Sequence, residues 1–548
     1  MPAVYAPDAL IARYLDVLIA HDPVDATKLG VTDADDCLPD VTDSGLDAYA
    51  RALSTLAGDV EATRSVLHAC PERNDLTLLA QTILYRQFHV SLRPRWQRDP
   101  LAALDTVMAG LATLVNTDRK DALVARARQV PAFLETAAGQ LETVPEPHRE
   151  VALMRIPAML TWLRHRAPRD LPAHQHEIFA VAAEAMDAFA ALVDEFGDEE
   201  PGPWRLGPQM HDVTLKTALG TTFDPQAIED RARTLITTVR DELHEFAGDN
   251  WTQLFPGERI ETDVRQRLTR LFNRLSDDLV TPNTLPMVLE DTFGRTRAFS
   301  ETLGFMSLPH PDTLTTANVP AHLRGLAHAM YAPNPPLGAR RGGIFHLDKD
   351  HTYDRHELML LVIHEVYPGH FTQLEHAYRH PRVARRILSR PVFAEGWAVY
   401  AERLFAEHGF GAADAPAFWL TQRKSELRVA MNALLDVGLH AGELDDAEAL
   451  RLLRHTGFQS HEEARAKLLR AKITSGQLSS YFVGREELVD LRTSEEDRLG
   501  TGFDAEAFHQ RLLSFGTPSF AVLRDEFHRP DPDVIDLDTA LPPLPLLN

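Results

Sequence analysis

Apolar residues recur at helical spacing along most of the chain. In segment 223–246, Asp224 has the position of an N-cap and Pro225 that of the first helical residue. The apolar face of that helix would consist of Ile228, Leu235, Val239, Leu243 and Phe246. Similar periodicity covers 8–21, 46–69, 77–90, 159–166, 177–196 and much of 395–515. The pattern therefore predicts a mostly α fold.

Two segments interrupt this periodicity. Residues 195–207 (EFGDEEPGPWRLG) concentrate acids, proline and glycine, and they form either a junction between two lobes or a long loop. Residues 330–354 contain GGIFHL, which predicts one short strand. The tail 536–548 is Pro-rich and is expected to be extended. Otherwise residues 1–548 are interpreted as a single helical unit.

Composition and charge narrow the class of protein. With 44% hydrophobic and 25% charged residues, the chain has the composition of a soluble globular protein. The formal net charge of −24 argues against a nucleic-acid partner, because phosphates are bound by clustered cations. Only Cys37 and Cys70 are present, and neither a signal peptide nor a membrane-spanning run is recognisable. We expect a cytoplasmic protein without a membrane partner; its oligomeric state is left open.

The stretch LLVIHEVYPGHFTQ (360–373) places two histidines and a glutamate beside a Pro-Gly pair. Upstream, Asp354 and Glu357 have the spacing of a capping box, which predicts that a helix begins at Arg355. Residues 358–363 are apolar on every side, as in a helix that is buried all round.

This helix would deliver His364 and Glu365 to the interior, where polar groups without partners are costly. His370 follows His364 by six residues, about 240° further round an ideal helix, so an unbroken helix could not aim both imidazoles at one metal. Pro368 removes a backbone donor and Gly369 permits unusual dihedral angles, so we expect the helix to end or kink there. The stretch is either a metal site or a helix end with two histidines, and the pattern favours the first.

A second signal lies in PVFAEGWAVYAERL (391–404). A zinc hydrolase uses imidazole and carboxylate ligands, keeps one position open and places a carboxylate beside the reacting water. In glutamate-type zinc peptidases the third ligand is a downstream glutamate on a second helix, so Glu395 is the predicted ligand. Glu402, two turns further along, is a predicted outer partner.

At these residues the chain resembles a large bacterial family known as domain of unknown function 885. The segments HEVYPGH (364–370) and FAEGWAVYAE (393–402) match its two signatures. The likeness extends over nearly the whole chain, through 22–40, 428–440, 475–484 and 508–524.

That family is similar to helical zinc carboxypeptidases and oligopeptidases of the thimet and angiotensin-converting type, in which two helical lobes enclose a deep cleft. The resemblance implies that His364, His370 and Glu395 bind zinc (Zn²⁺) and that Glu365 acts as general base. Phe371 departs from the pattern, because many members carry a second consecutive histidine there.

Hydrolysis of an amide builds negative charge on the carbonyl oxygen, so a hydrogen-bond donor is needed opposite the metal. Tyr481 and His440 lie in family-like segments and are the candidates for this role, although each is more often a core residue. Asp436, one helical turn before His440, is a candidate for orienting that imidazole.

Substrate contacts are also suggested by the sequence. Arg428, Arg470 and Lys472 are candidates to receive a substrate carboxylate, although each is more often a surface cation. Gly342 and Gly343 precede the metal helix as the edge strand does in the peptidases that the family resembles, where the substrate backbone pairs by strand addition.

These features predict a zinc-dependent hydrolase that cleaves peptide or related amide bonds in short substrates. One alternative is a different reaction on the same site, by an amide hydrolase, acyltransferase or lyase of specialised metabolism. Another is a non-catalytic binding protein that keeps the metal for stability. Two histidines and a carboxylate also suit iron or manganese.

Overall fold

The computed structural model describes residues 4–196, 204–275, 278–304, 306–309, 313–324, 328–411 and 416–529. The chain is 71% helical, which confirms the predicted mostly α fold. The helices of the N-terminal half, residues 4–196, are α1 (Pro7–His21), α2 (Pro23–Leu29), α3 (Asp43–Val66), α4 (Pro71–Gln87), α5 (Pro100–Val115), α6 (Lys120–Gln140), α7 (Glu146–Thr161) and α8 (His176–Glu195).

The C-terminal half, residues 204–529, contains the longest described helix, of 30 residues, and the site-bearing segments. Its first helices are α9 (Pro208–Leu219), α10 (Pro225–Leu254), α11 (Val264–Leu275), α12 (Leu285–Leu303), α13 (Arg355–Glu365), α14 (His370–Tyr378) and α15 (Val383–Ile387). They are followed by α16 (Pro391–Glu407), α17 (Ala417–His440), α18 (Asp446–His455), α19 (His461–Ile473), α20 (Gln477–Leu499), α21 (Ala505–Ser514) and α22 (Phe520–Phe527).

Helix starts follow the predicted capping chemistry. Asp224 caps α10 by accepting a hydrogen bond from the backbone N–H of Ala227 at 2.7 Å, with Pro225 as the first helical residue. Asp354 caps α13 by accepting from the N–H groups of His356 and Glu357, at 2.8 and 3.0 Å. Both caps satisfy donors that the first turn of a helix leaves free.

Short strands lie between α11 and α13. They are β1 (Leu279–Val280), β2 (Leu314–Asn318), β3 (Ala329–Pro333), β4 (Gly343–Leu347) and β5 (Tyr353–Asp354). β4 is the strand predicted from GGIFHL, whereas β2 and β3 were not predicted. β4 pairs with β2 in parallel and with β3 antiparallel, and β1 pairs with β5 just before α13.

Gly343 lies in the middle of the three-stranded sheet, so the predicted pairing of substrate with an edge strand at this residue is wrong. It faces Leu314 on one side and Pro333 on the other. A Cβ atom at Gly343 would lie 2.3 Å from the carbonyl oxygen of Ala332. The glycine therefore allows close strand packing, and the edge on the metal-helix side belongs to β3.

Separate hydrophobic clusters support the two halves. One cluster in the N-terminal half is built from α2 and α5 to α8, and Leu469 and Ile473 of α19 pack against it. The largest cluster of the C-terminal half involves α10, α16, α17 and α20. α19 thus belongs to the C-terminal half in sequence and contacts the core of the N-terminal half.

A cavity of about 730 Å³ lies between the halves. Its walls include Tyr14 and Arg86 from the N-terminal half and Glu395, Gln477 and Ser480 from the C-terminal half. This cavity corresponds to the predicted cleft. No helix among the described residues has the length and apolarity to cross a bilayer.

The predicted junction at 195–207 is only partly described. Residues 197–203 lie outside the described residues, as does the tail 536–548. At the described end, the Arg205 guanidinium donates to the carbonyl oxygens of Leu439 and Leu444 at 2.7 and 2.6 Å, which ties this segment to the end of α17.

Helices α16 and α20 cross with their backbones in contact at two glycines. A Cβ atom on Gly396 would lie 2.3 Å from the carbonyl carbon of Gly484, and one on Gly484 would lie 2.0 Å from the carbonyl oxygen of Val392. Any side chain at either position would force the helices apart. This crossing sets the distance between Glu395 on α16 and Tyr481 on α20.

We predict that Gly396→Ala lowers the free energy of unfolding by about 1–3 kcal/mol, because overpacking outweighs the gain in helix propensity. The matched control is Gly248→Ala on the exposed side of α10, where a Cβ atom meets nothing within 4 Å. That control should gain roughly 0.5–1 kcal/mol. Urea denaturation measures the free energy of unfolding of both variants. Equal values would contradict the close contact between α16 and α20 at Gly396.

Candidate metal centre

The chain breaks between α13 and α14, as predicted. α13 ends at Glu365 and α14 begins at His370, with Pro368 and Gly369 between them and a cis Tyr367–Pro368 peptide. A Cβ atom on Gly369 would lie only 1.8 Å from the carbonyl oxygen of His364, so this close return of the chain requires glycine. The ring centroids of His364 and His370 lie 4.9 Å apart.

The predicted ligands converge. The nearest ligand atoms of His364, His370 and Glu395 all lie within 4.8 Å of one another. Glu395 Oε2 is 3.7 Å from Nε2 of His364 and 3.5 Å from Nε2 of His370, too far for good hydrogen bonds. This buried oxygen has no hydrogen-bond partner among the described residues.

The spacing suits a shared ion. Two atoms that each lie about 2.0–2.2 Å from one zinc at the tetrahedral angle are about 3.3–3.6 Å apart. The 3.5 Å distance lies within this range and the 3.7 Å distance just above it, so that, with the oxygen of Glu395 that has no described partner, the donor set is compatible with one shared zinc ion. A set of two histidines and one carboxylate leaves one of the four positions open.

Glu402 holds the His364 ring. Its Oε1 lies 2.7 Å from Nδ1 of His364, and its Oε2 accepts a hydrogen bond from the Ser425 hydroxyl at 2.8 Å. Because a carboxylate only accepts, Nδ1 carries the proton and Nε2 is the ring atom available to a metal.

The charges of the centre compensate one another. Burial lowers the pKa of the His364 imidazole, but Glu395 and Glu402 outweigh burial and raise this pKa well above its usual value. Burial raises the pKa of Glu395, but His364 and His370 outweigh it and hold that pKa well below its usual range. Metal binding at His364 would therefore release a proton.

Glu365 is held by the edge strand β3. Its side chain is 8% exposed, and its Oε2 accepts a hydrogen bond from the backbone N–H of Tyr331 at 2.8 Å. Its negative charge also contributes to the raised pKa of His364, so it lies within electrostatic reach of the cluster. The predicted general base thus has a defined position beside the ligands.

Tyr481 lies against the cluster. Its ring centroid is 6.4 Å from that of His364, and its hydroxyl accepts a hydrogen bond from the Arg470 guanidinium at 3.3 Å. Burial and the charge of Glu395 raise the pKa of Tyr481 to about 12. The phenol therefore keeps its proton near neutral pH and can act as a donor.

His440 lies outside the metal cluster. Its Nε2–H donates to the carbonyl oxygen of Ala471 at 2.8 Å, and its ring stacks on His211. Burial lowers the pKa of His440 to about 4. Since its donor is already used and no described contact joins it to the ligands, the predicted role as an oxyanion donor is wrong.

Asp436 does not orient His440, so that prediction is also wrong. Its carboxylate accepts from the backbone N–H of Gly476 at 2.9 Å and from the Ser479 hydroxyl at 2.5 Å. These groups form the start of α20. Asp436 therefore anchors the helix that carries Tyr481.

The predicted carboxylate receptors have different surroundings. Arg428 lies 3.5 Å from Glu357 and 3.4 Å from Glu463, and Lys472 pairs with a carboxylate of α18 at 2.6 Å. Arg470 has no carboxylate within ion-pair distance among the described residues. Arg428 and Lys472 are thus already neutralised by the protein.

Trp397 connects the two signature segments and was not singled out by the pattern. Its indole N–H donates to the carbonyl oxygen of Pro368 at 2.9 Å, which ties α16 to the break between α13 and α14. The Gly-Trp pair next to Glu395 was the available signal. Ser425 was also missed, and nothing in its sequence surroundings indicates its contact with Glu402.

Phe371 supports the strand side of the centre. Its ring is fully buried, and the rings of Tyr331 and Tyr367 lie 5.6 Å from it. Where a histidine was expected by resemblance, this chain places apolar packing beneath β3.

Two solved structures are similar to this fold. One is a "putative lipoprotein of unknown function from Shewanella oneidensis", at 22% identity and a TM-score of 0.78, over 95% of this chain and 99% of that chain. The other is a "putative lipoprotein from Colwellia psychrerythraea", at 17% identity and a TM-score of 0.78, with the same coverage. No functionally curated protein matches the chain significantly.

The sequence signatures are supported by a family model. The model described as "Bacterial protein of unknown function (DUF885)" matches residues 23–527, which include both metal-helix segments. The chain therefore belongs to the bacterial family DUF885.

Proposed function

We propose that this chain is a zinc-dependent hydrolase that cleaves peptide or related amide bonds in short substrates. The observation that carries the proposal is that His364 and His370 converge on a carboxylate oxygen of Glu395. That oxygen has no hydrogen-bond partner among the described residues. Glu365 and Tyr481 lie beside this set in positions suited to a base and a donor.

Each side chain has a separate task in this reaction. When bound, zinc supplies Lewis-acid chemistry, acidifying water and polarising a carbonyl group. Glu365, oriented by the Tyr331 N–H, accepts the proton of the attacking water and later gives it to the leaving amine. Tyr481 donates a hydrogen bond to the carbonyl oxygen as that oxygen gains negative charge.

The restriction to short substrates rests on the cavity. The space that reaches Glu395 has a volume of about 730 Å³ and is bounded by both halves of the chain. This volume falls in the range of small-molecule sites. A short peptide or amide fits such a space, whereas a folded protein does not.

We predict about one zinc per chain in the purified protein, measured by mass spectrometry. His364→Ala, His370→Ala and Glu395→Ala should each abolish stoichiometric zinc, and Glu402→Gln should weaken zinc affinity by about 10- to 100-fold. The control is His408→Ala, an exposed histidine at the end of α16, which should keep its zinc. If the purified protein retains iron or manganese instead, the metal assigned to the site would be wrong. If it binds no metal even after zinc is supplied, the proposed metal centre would be wrong.

We predict that Glu365→Gln keeps zinc and the fold but lowers kcat by about 10²- to 10⁴-fold on any amide substrate that the wild type cleaves. Glutamine can still accept the Tyr331 N–H, so the change removes the base with little effect on geometry. The kcat values are measured from the rate of product formation with a panel of dipeptides and N-acyl amino acids. Unchanged turnover in the variant would exclude Glu365 as base, and no cleavage by zinc-loaded wild type would favour a binding protein.

The proposed location is the cytoplasm. Cys37 and Cys70 are both free, and free thiols persist in a reducing compartment. The two similar structures are described as putative lipoproteins, which makes the cell envelope the competing location. Fractionation of cells that produce the tagged full chain tests this: recovery with cytoplasmic markers is expected, and recovery with the envelope would overturn it.

A further inference from the structure

Two cations of α19 form no ion pair with an acid in the part of the chain that the structure describes, and one of them contacts Tyr481. Lys467 and Arg470 lie one turn apart on α19, on the side that contacts α17 and α20. Lys467 Nζ donates to the Asn432 side-chain oxygen at 2.8 Å, and Arg470 donates to Gln477 at 2.9 Å. Among the described residues, no carboxylate lies within ion-pair distance of either cation.

The acids in this region already serve other cations. Glu463 lies 3.4 Å from Arg428, and Glu357 lies 3.1 Å from Lys424 and 3.5 Å from Arg428. Two carboxylates thus offset the charges of Arg428 and Lys424. Lys467 and Arg470 form no ion pair with any described carboxylate, and the charge of Glu463 acts on Lys467 only from a longer distance.

The surroundings of Lys467 disfavour its charged form. Burial lowers its pKa to about 7, the charges of Arg428 and Arg470 act in the same direction, and the charge of Glu463 opposes them. A cation in such a position is costly unless an anion accompanies it. An anion from outside the chain would stabilise the protonated form of Lys467 at this position.

The two cations are also connected to the reaction centre. Arg470 contacts the hydroxyl of Tyr481, whose ring stacks on that of His364. Gln477, the other partner of Arg470, lines the cavity that reaches Glu395. An anion bound by Lys467 and Arg470 would thus be close to a carbonyl group placed between the metal ligands and Tyr481.

We propose that Lys467 and Arg470 bind the free carboxylate of the substrate, so that the hydrolase acts on the amide bond next to a terminal carboxylate. Carboxylates suit these groups, because guanidinium and ammonium ions form short charge-assisted hydrogen bonds with them. The substrate class is then dipeptides, short peptides cleaved from the carboxyl end, or N-acyl amino acids. This inference rests on the proposed function.

Matched substrate pairs test it. Each pair is an N-acyl dipeptide with a free carboxyl end and the same compound as its carboxamide, given to the zinc-loaded full chain. We expect the wild type to prefer the carboxylate by about 10- to 100-fold in kcat/KM, the value of charge-assisted hydrogen bonds. Lys467→Met and Arg470→Gln should each reduce this preference about tenfold or more.

The control variant is Lys472→Met, which removes a cation from the same helix whose partner is an acid of α18. Its preference should equal that of the wild type. Because the readout is a ratio between two substrates in one protein sample, partial loss of folded protein does not change it. Equal cleavage of both substrates by the wild type, or an unchanged ratio in Lys467→Met, would overturn the carboxylate site.

Binding separates failure of this inference from failure of the proposed function. Calorimetry with an N-acetyl amino acid and its carboxamide needs no turnover. If the wild type binds only the carboxylate probe and Lys467→Met loses this binding, the carboxylate site is supported even when neither substrate is cleaved. In that case only the hydrolase proposal would be wrong. Equal binding of both probes would overturn the carboxylate site.

Discussion

The approach of Gly396 to Gly484 brings the backbones of α16 and α20 into direct contact. Glu395 precedes the first glycine and Tyr481 lies nearly one turn before the second, so the crossing determines how far the metal ligand lies from the phenol. The Trp397 indole then ties α16 to the carbonyl oxygen of Pro368. The crossing and this hydrogen bond together position Glu395, the phenol of Tyr481 and the chain break.

The centre is built where helices end and begin. An uninterrupted helix keeps residues six apart on different faces, and the Pro368–Gly369 break removes this restriction. The resulting interior group of two imidazoles and several carboxylates would be unfavourable if any member were alone. Mutual compensation, visible in the opposite pKa shifts of His364 and Glu395, makes the group tolerable in the interior.

Local chemistry was predictable from the sequence, and long-range pairing was not. Caps at Asp224 and Asp354, the break after Glu365 and the carboxylate of Glu395 each depend on neighbours in sequence or on a strong signature. Gly343 was assigned to a strand edge because the pattern of one strand does not show how many partners it has.

His440 and Asp436 were misassigned for a related reason. Helical spacing correctly puts them on adjacent turns, but Asp436 bonds to the start of α20 and His440 bonds to α19. Those partners are 31 to 43 residues away in sequence. Leu469 and Ile473 of α19 pack against the core of the N-terminal half, while Lys467 and Arg470 of the same helix contact α17 and α20. α19 therefore links the packing of the N-terminal half to the surroundings of Tyr481, so a change in how the two halves pack would alter the distance between the two cations and the metal ligands.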